Sequence, residues 1–150
     1  MSPTPSAGYS GTPLVRKLGI KPDARLLLIG APAGFDATLG ELPPGVRVRR
    51  RLGGPSSDVI VAFFARRTEL ERRLPALAAA LDPAGGLWIA WPKRASGVAT
   101  DVTDDVARGL GLAAGLVDNK VCAVDQVWSG LRLVYRLRDR RSRAAGAIPA

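Results

Sequence analysis

Three short runs of apolar residues constrain the fold of this chain more than any other feature of its sequence. They are RLLLIG at residues 25–30, DVIVAFFA at residues 58–65 and LWIAW at residues 87–91. Each run is continuous rather than alternating, and turn-forming residues bound it, which is typical of a strand that is buried on both faces. Such strands form parallel sheets that helices cover on both sides.

Helical patterns separate these runs. Apolar residues at helical spacing predict a short helix over residues 35–42, and a leucine stripe after the second run predicts a longer one: Leu70, Leu74, Leu77 and Leu81. Thr68 and Glu71 have the spacing of a capping box, so we expect the longer helix to begin there. Residues 82–86, DPAGG, are then expected to form a turn.

Two further segments complete the predicted sheet. Val46 and Val48 alternate with arginines, which indicates a short strand that either has one solvent-exposed face or lies at the sheet edge, and its direction stays open. Residues 120–125 and 131–137 also alternate and are expected to pair as a hairpin. The fold class that follows is α/β: a three-layer Rossmann-like domain with a mostly parallel sheet of about five to six strands and a C-terminal antiparallel hairpin.

The domain boundaries follow from composition. Residues 1–8 hold nothing to bury and are predicted to be a disordered lead-in, residues 9–138 to be a single α/β domain, and residues 139–150 to be a basic disordered tail. No apolar run approaches the ~18–20 residues of a membrane span. The start of the chain has no pattern of a secretion signal, so we expect a cytoplasmic protein without a membrane partner.

Composition also excludes several kinds of chemistry. Histidine is absent, which removes every catalytic or metal site that needs an imidazole. The net charge of +9 is concentrated in two arginine clusters. These clusters are candidates for contact with nucleic acid or a protein partner, although no aromatic residues are interleaved for base stacking. Their residues are Arg47, Arg49, Arg50, Arg51, Arg140 and Arg141.

The second half of the chain resembles a known family. An Asp-led strand at Asp58, a leucine-striped helix and the turn LDPAGGLWIAW resemble the second half of class I, Rossmann-like methyltransferases. The terminal hairpin, with WSG at residues 128–130 before its last strand, is similar as well. The resemblance implies a sheet that binds S-adenosylmethionine, with a glycine-rich loop after the first strand and an acid at the end of the second.

The first half departs from that family. The loop at Gly30 to Gly34 matches the glycine-rich loop only in part, and the second strand ends in Arg49, Arg50 and Arg51 rather than an acid. Only residues 52–57 join this strand to the Asp58 strand. Either the usual intervening strand and helices are missing, or the Val46 strand runs in an unexpected direction. The resemblance therefore implies a reduced cofactor site.

A second resemblance covers about residues 9–137. The segments YSGTPLVRKLGI, WPKRASGVATDVTDDV and GLVDNKVCAVDQVWSGLRLVYR are similar to an actinobacterial family of short uncharacterised proteins that carry a domain of unknown function. This resemblance implies no activity.

The candidate ligand site is the segment WPKRASGVATD at residues 91–101. Ligands of open α/β sheets bind beyond the carboxyl ends of the strands, and this segment follows the third buried run. Lys93 and Arg94 could hold an anion, and Trp91 could stack on a planar ring. The full set of predicted ligand-binding residues is Trp91, Lys93, Arg94, Ser96, Thr100, Asp101, Gly30 and Gly34.

The acids near this segment have two explanations. Asp101, Asp104 and Asp105 could bind a metal, but helix capping by Thr103 and acids in a first helical turn account for the same residues, so no metal site is predicted. The leading hypothesis is a non-catalytic binding or regulatory module with a small anionic or nucleotide-like ligand and no cofactor. The alternatives are a reduced S-adenosylmethionine-dependent methyltransferase and contact with nucleic acid or protein through the basic clusters.

Overall fold

The structure is a computed structural model, and it describes residues 12–144, with side chains as far as residue 140. The predicted lead-in at residues 1–8 lies outside the described residues. The elements in chain order are α1 Leu14–Lys17, β1 Arg25–Ile29, α2 Phe35–Leu39, β2 Arg47–Arg49, β3 Ser57–Phe63, α3 Arg67–Ala80, β4 Leu81–Pro92, a 3₁₀ turn at Arg94–Ser96, α4 Asp104–Ala113, β5 Leu116–Ala123, β6 Trp128–Tyr135 and α5 Leu137–Ala144. No helix among the described residues is long and apolar enough to cross a membrane.

The six strands form one sheet in the order β2-β1-β3-β4-β6-β5. Strands β1 to β4 are parallel to one another, whereas β6 runs antiparallel to both β4 and β5. The predicted α/β class, the mostly parallel sheet and the C-terminal hairpin are confirmed. The three continuous apolar runs form β1, β3 and the second half of β4, where almost every residue is buried.

The direction of β2, which the sequence left open, is parallel to β1, with Arg47 level with Arg25. Residues 50–56 then lead across β1 to the start of β3, and none of them lies in a helix or strand. This connection is short because β2 itself has only three residues, so the chain returns over a small distance to reach Ser57. Leu52 packs against the core on the way.

Two hydrophobic cores lie on the two faces of the sheet. Helices α3 and α4 cover one face, where Leu70, Leu77 and Ala107 are fully buried. Helices α1 and α2 cover the other face, where Leu18 and Trp88 are almost fully buried. The indole Nε1 of Trp88 donates a hydrogen bond to the Leu18 carbonyl at 3.0 Å, which ties α1 to the centre of the sheet.

Two local predictions need correction. Helix α3 begins at Arg67 and takes no side-chain cap from the residue before it, so the capping box of Thr68 and Glu71 does not form. Residues 82–86 are not a turn outside the strand but a bulge within β4: Ser57 pairs with Leu81, and two residues later Val59 pairs with Gly86. The turn chemistry survives inside this bulge, because the Asp82 carboxylate accepts a hydrogen bond from the Ala84 amide at 3.0 Å.

The predicted disordered tail also differs in the structure. Residues 139–144 belong to helix α5, while residues 145–150 lie outside the described part of the chain. The physical reason is composition: LRDRRSRA holds four arginines, a leucine and an alanine, all of which have high helix propensity.

Candidate functional site

The carboxyl ends of β1, β3 and β4 lie at one edge of the sheet. Ile29 is level with Ala62, and Ala62 is level with Ile89, so the three parallel strands end together. The loops that follow them, residues 30–34, 64–66 and 93–103, therefore gather at this edge, which we call the carboxyl rim. The structure thus brings the two predicted ligand segments to the same rim.

A cleft of about 570 Å³ lies at the rim beside the loop after β4. Trp91 lines the cleft and is only 7% exposed, so its indole belongs both to the cleft surface and to the core. Val98 and Val121 add exposed apolar surface to the lining. Lys93 and Arg94 supply its positive charge. The cleft combines an apolar wall with two cations.

The side chains of Lys93 and Arg94 are not used inside the protein. Neither makes a side-chain hydrogen bond or an ion pair with any residue in the range that the structure describes. The Lys93 backbone, by contrast, is fixed, because its amide donates to the Val127 carbonyl at 2.7 Å. The two cations thus project from an anchored backbone and are available to an anion.

Ser96 and Thr100, also predicted to bind a ligand, shape the loop instead. The Ser96 hydroxyl donates to the Lys93 carbonyl at 2.6 Å and accepts from the Val98 amide at 3.1 Å. The Thr100 hydroxyl donates to the Ala65 carbonyl at 2.7 Å and accepts from the Val102 amide at 3.0 Å. These bonds define the shape of the cleft and attach it to the end of β3.

Asp101 has a structural role that the sequence did not reveal. Its carboxylate accepts a hydrogen bond from the backbone amide of Arg67 at 2.7 Å, at the first residue of α3. An acid at this position satisfies a free amide and interacts favourably with the helix dipole. The cap comes from a residue 34 positions away, so no local capping motif could indicate it.

The neighbouring acids serve helix α4. Thr103 caps this helix as predicted, since its hydroxyl accepts from the Val106 amide at 3.2 Å. Asp105 pairs with Arg108 at 3.1 Å, and Asp104 accepts from the Asp105 amide at 2.9 Å. Within the described part of the chain, no group of three or more potential ligands could hold a metal ion.

The loop after β1 requires its glycines. Gly30 and Gly34 have φ values of +68° and +87°, in the left-handed region that side chains rarely adopt. A Cβ atom at Gly30 would lie 3.2 Å from the Phe63 carbonyl oxygen, so the loop packs closely on the end of β3. A Cβ atom at Gly34 would meet nothing within 4 Å, so this side of the loop is open to a ligand.

An ion pair crosses the rim beside this loop. The Arg50 guanidinium, just after β2, donates to both carboxylate oxygens of Asp36 in the first turn of α2, at 2.9 and 3.1 Å. The end of β2 therefore presents a cation that is already paired, where the methyltransferase resemblance implies an acid.

Of the remaining arginines in the basic clusters, some contact the protein itself and others are exposed. The Arg49 guanidinium lies against Gly54, where an added Cβ would be 1.9 Å from Nη1, and Arg47 and Arg51 are exposed. Arg140 donates to the Tyr135 carbonyl at 2.8 Å, whereas the Arg141 side chain lies outside the described residues. Contact with nucleic acid or a protein partner through these clusters stays a prediction.

Comparison with solved structures gives a consistent set of neighbours. An S-adenosylmethionine-dependent methyltransferase from Aquifex aeolicus is 17% identical, with a TM-score of 0.59 over 80% of this chain and 86% of its own. A methyltransferase from Thermoplasma acidophilum is 10% identical, with a TM-score of 0.55 over 84% of this chain and 75% of its own. Magnesium protoporphyrin IX methyltransferase from Synechocystis PCC 6803, with bound SAM, is 12% identical, with a TM-score of 0.54 over 82% and 74%.

The fold is that of Rossmann-like methyltransferases. No family model and no curated protein sequence matches the chain, so the likeness to an actinobacterial family finds no support. The hypothesis of a non-catalytic module is contradicted, because these structural neighbours are methyltransferases and favour the alternative. The expectation of no cofactor is unsupported too, because a neighbour was solved with bound SAM.

Proposed function

We propose that this protein is an S-adenosylmethionine-dependent methyltransferase whose site lies at the carboxyl rim. The observation that carries the proposal is the common end of β1, β3 and β4, which brings a glycine loop and a cleft of about 570 Å³ to one edge of a methyltransferase-like sheet. Ligands of open α/β sheets bind at this edge because loop amides and helix termini converge there.

The residues of the first loop fit the cofactor, and those at the end of β2 do not supply the implied acid. Gly30 and Gly34 adopt the conformations that let a backbone approach a ligand closely, and the open side at Gly34 leaves space for one. At the end of β2, by contrast, Arg50 is paired with Asp36. The cofactor would accordingly depend on the loop after β1 and on the end of β3, with no carboxylate from β2 for its ribose hydroxyls.

The cleft beside the loop after β4 is the proposed site of the methyl acceptor. Lys93 and Arg94 would bind an anionic group of the acceptor, and Trp91, Val98 and Val121 would contact its apolar part. We therefore propose a small anionic acceptor with an apolar or planar body.

The chemistry divides between cofactor and protein. When bound, S-adenosylmethionine supplies an electrophilic methyl group. The chain itself would bind and orient the cofactor and the methyl acceptor. Thr100 and Asp101 fix the loop after β4 to the end of β3 and the start of α3. These bonds hold the acceptor cleft in a fixed position relative to the proposed cofactor site. Positioning of this kind contributes a large share of the catalysis in reactions between two bound molecules.

Binding of S-adenosylhomocysteine, measured by calorimetry, tests the proposal. We expect a dissociation constant below about 1 mM for the unmodified protein. Gly34→Leu should weaken binding by about tenfold or more, because the side chain fills the open side of the loop. Gly115→Leu is the matched control: its φ is +89° and a Cβ there also has no neighbour within 4 Å, so it places a leucine on a left-handed φ at the end of α4, away from the rim. Absence of binding at about 1 mM, or equal losses in both variants, would overturn the proposal.

A further inference from the structure

A second cavity lies at the opposite edge of the sheet, far along the strands from the carboxyl rim. Its volume is about 440 Å³, and it lies between the segment that follows α1 and the amino ends of β3 and β4. We call it the amino-edge cavity. Its charged lining residues are Lys17, Lys21, Asp23, Asp58, Asp82, Lys120 and Arg132.

The acids and the cations of this lining have different neighbours. Asp58 and Asp82 share Arg25, whose Nη2 is 3.0 Å from Asp58 and 3.6 Å from Asp82, and the Asp23 carboxylate lies against Gly45. Among the cations, Lys120 is the cross-strand partner of Arg132. The charges of Lys17 and Lys120 both act on the thiol of Cys122, so Lys17 lies near this pair.

The Arg132 guanidinium is held in place without a partner. It lies on the backbone of Gly86, where an added Cβ would be 2.3 Å from Nε and 2.7 Å from Cζ. Glycine at this position is thus what gives the guanidinium its space. Within residues 12–140, no oxygen accepts a hydrogen bond from Arg132 and no carboxylate pairs with it.

This arrangement is unfavourable unless an anion is present. Burial lowers the pKa of Arg132, and the nearby charge of Arg140 lowers it further. Like charges directly opposite each other on antiparallel strands, as Lys120 and Arg132 are, also destabilise a sheet. A half-buried cation beside another cation is stabilised when an anion binds both.

We infer that the amino-edge cavity binds a phosphate-bearing small molecule, with Arg132 and Lys120 as the central cations and the exposed Lys21 as a third. The planar guanidinium matches two phosphate oxygens at once, and the ammonium groups add point charges. The volume is in the range of small-molecule sites. Because the cavity is at the amino edge, this ligand would bind independently of any molecule at the carboxyl rim.

Titration with pyrophosphate at constant ionic strength tests the inference by calorimetry. The double variant Lys21→Ala/Lys120→Ala removes two exposed cations from the cavity and should weaken binding by about tenfold or more. The double variant Arg66→Ala/Arg72→Ala removes two exposed cations at the start of α3, outside both cavities, and should change binding by less than about twofold. Equal losses in both double variants would show an effect of net charge alone and would overturn the inference, as would no binding at about 10 mM pyrophosphate.

Arg132→Met provides a second measurement that does not depend on the lysines. Methionine keeps the apolar stem of this half-buried side chain and removes its charge, so the ligand-free variant should unfold at a temperature at least as high as that of the unmodified protein. Pyrophosphate should raise the unfolding temperature of the unmodified protein and leave that of the variant unchanged. An equal rise in both proteins would contradict the inference.

Discussion

The carboxylate of Asp101 lies 2.7 Å from the backbone amide nitrogen of Arg67 and caps helix α3 from the loop that follows β4. Two adjacent contacts strengthen this link, because the Thr100 hydroxyl and the Asp101 amide both donate to the Ala65 carbonyl, at 2.7 and 3.4 Å. The acceptor cleft and the end of β3 are therefore one connected structure. Changes at Asp101 should affect stability and the shape of the cleft together.

Asp101→Ala should lower the free energy of unfolding by about 1 kcal/mol, the usual cost of removing a helix cap. Glu71→Ala is the control, because Glu71 belongs to the capping pattern that the sequence predicts but is exposed and makes no capping bond in the described structure. Its effect should stay within about 0.5 kcal/mol. Urea unfolding of both variants measures the two effects. A larger loss of unfolding free energy for Glu71→Ala than for Asp101→Ala would contradict the cap from Asp101.

Two glycines of helix α4 should respond in opposite directions to alanine. A Cβ at Gly111 would lie 2.7 Å from Cδ2 and 2.9 Å from Cδ1 of the fully buried Leu133, so Gly111→Ala should destabilise the protein by about 1–2 kcal/mol through overpacking. A Cβ at Gly109 would meet nothing within 4 Å. Gly109→Ala should stabilise the helix by about 0.5–1 kcal/mol. Thermal unfolding measures both, and the same sign for the two variants would contradict the packing of α4 on β6.

The ion pair between Arg25 and Asp58 should make stability depend on pH. Hydrogen bonds from the Arg25 guanidinium hold the pKa of Asp58 below its ordinary value, against an opposing effect of burial. A lowered folded-state pKa contributes stability that is fully present above the unfolded pKa of about 4 and is lost as the pH falls through the folded-state value.

Asp58→Asn tests this dependence. The variant should lose about 1 kcal/mol of unfolding free energy at pH 7, a modest figure because both side chains are 37% exposed. The difference from the unmodified protein should shrink as the pH falls below about 4. Urea unfolding over a pH series provides the comparison. A difference that is constant with pH would exclude the ion pair as its cause.

Cys122 should react slowly with alkylating reagents in the folded protein. Burial raises the pKa of this thiol, and the charges of Lys17 and Lys120 offset the effect only in part. Since the thiolate is the reactive form, we expect the alkylation rate at pH 7 to increase on unfolding in urea. A folded-state rate that equals the unfolded rate would contradict the burial of Cys122.

Much of the fold could be predicted because the strands at its centre carry strong local signals. Continuous apolar runs identify β1, β3 and the second half of β4, and the alternation of residues 131–135 identifies β6. Since crossovers between such strands make them parallel, their common carboxyl edge followed from the order of the elements. The parallel direction of β2 could not be predicted in this way, because its connection to β3 is shorter than a usual crossover between parallel strands.

The features that escaped prediction depend on residues that are distant along the chain. To predict these contacts, the register of the strands and the paths of the loops must already be known. They are the cap from Asp101 to Arg67, the pair of Arg50 with Asp36 and the position of Arg132 on Gly86. Local motifs carry no information about such contacts. For the same reason, the sequence predicted ligand contacts for Ser96, Thr100 and Asp101, whereas their side chains form hydrogen bonds within the protein.

Mapping the binding of S-adenosylhomocysteine by backbone amide chemical shifts tests the central claim most directly. A cofactor site at the carboxyl rim predicts that the amides of Gly30, Gly34 and Ala65 shift during the titration, while those of Gly19 and Gly86 at the amino edge do not. Shifts confined to the amino edge, or no shifts at a ligand concentration of about 1 mM, would contradict the assignment of the methyltransferase site to this rim.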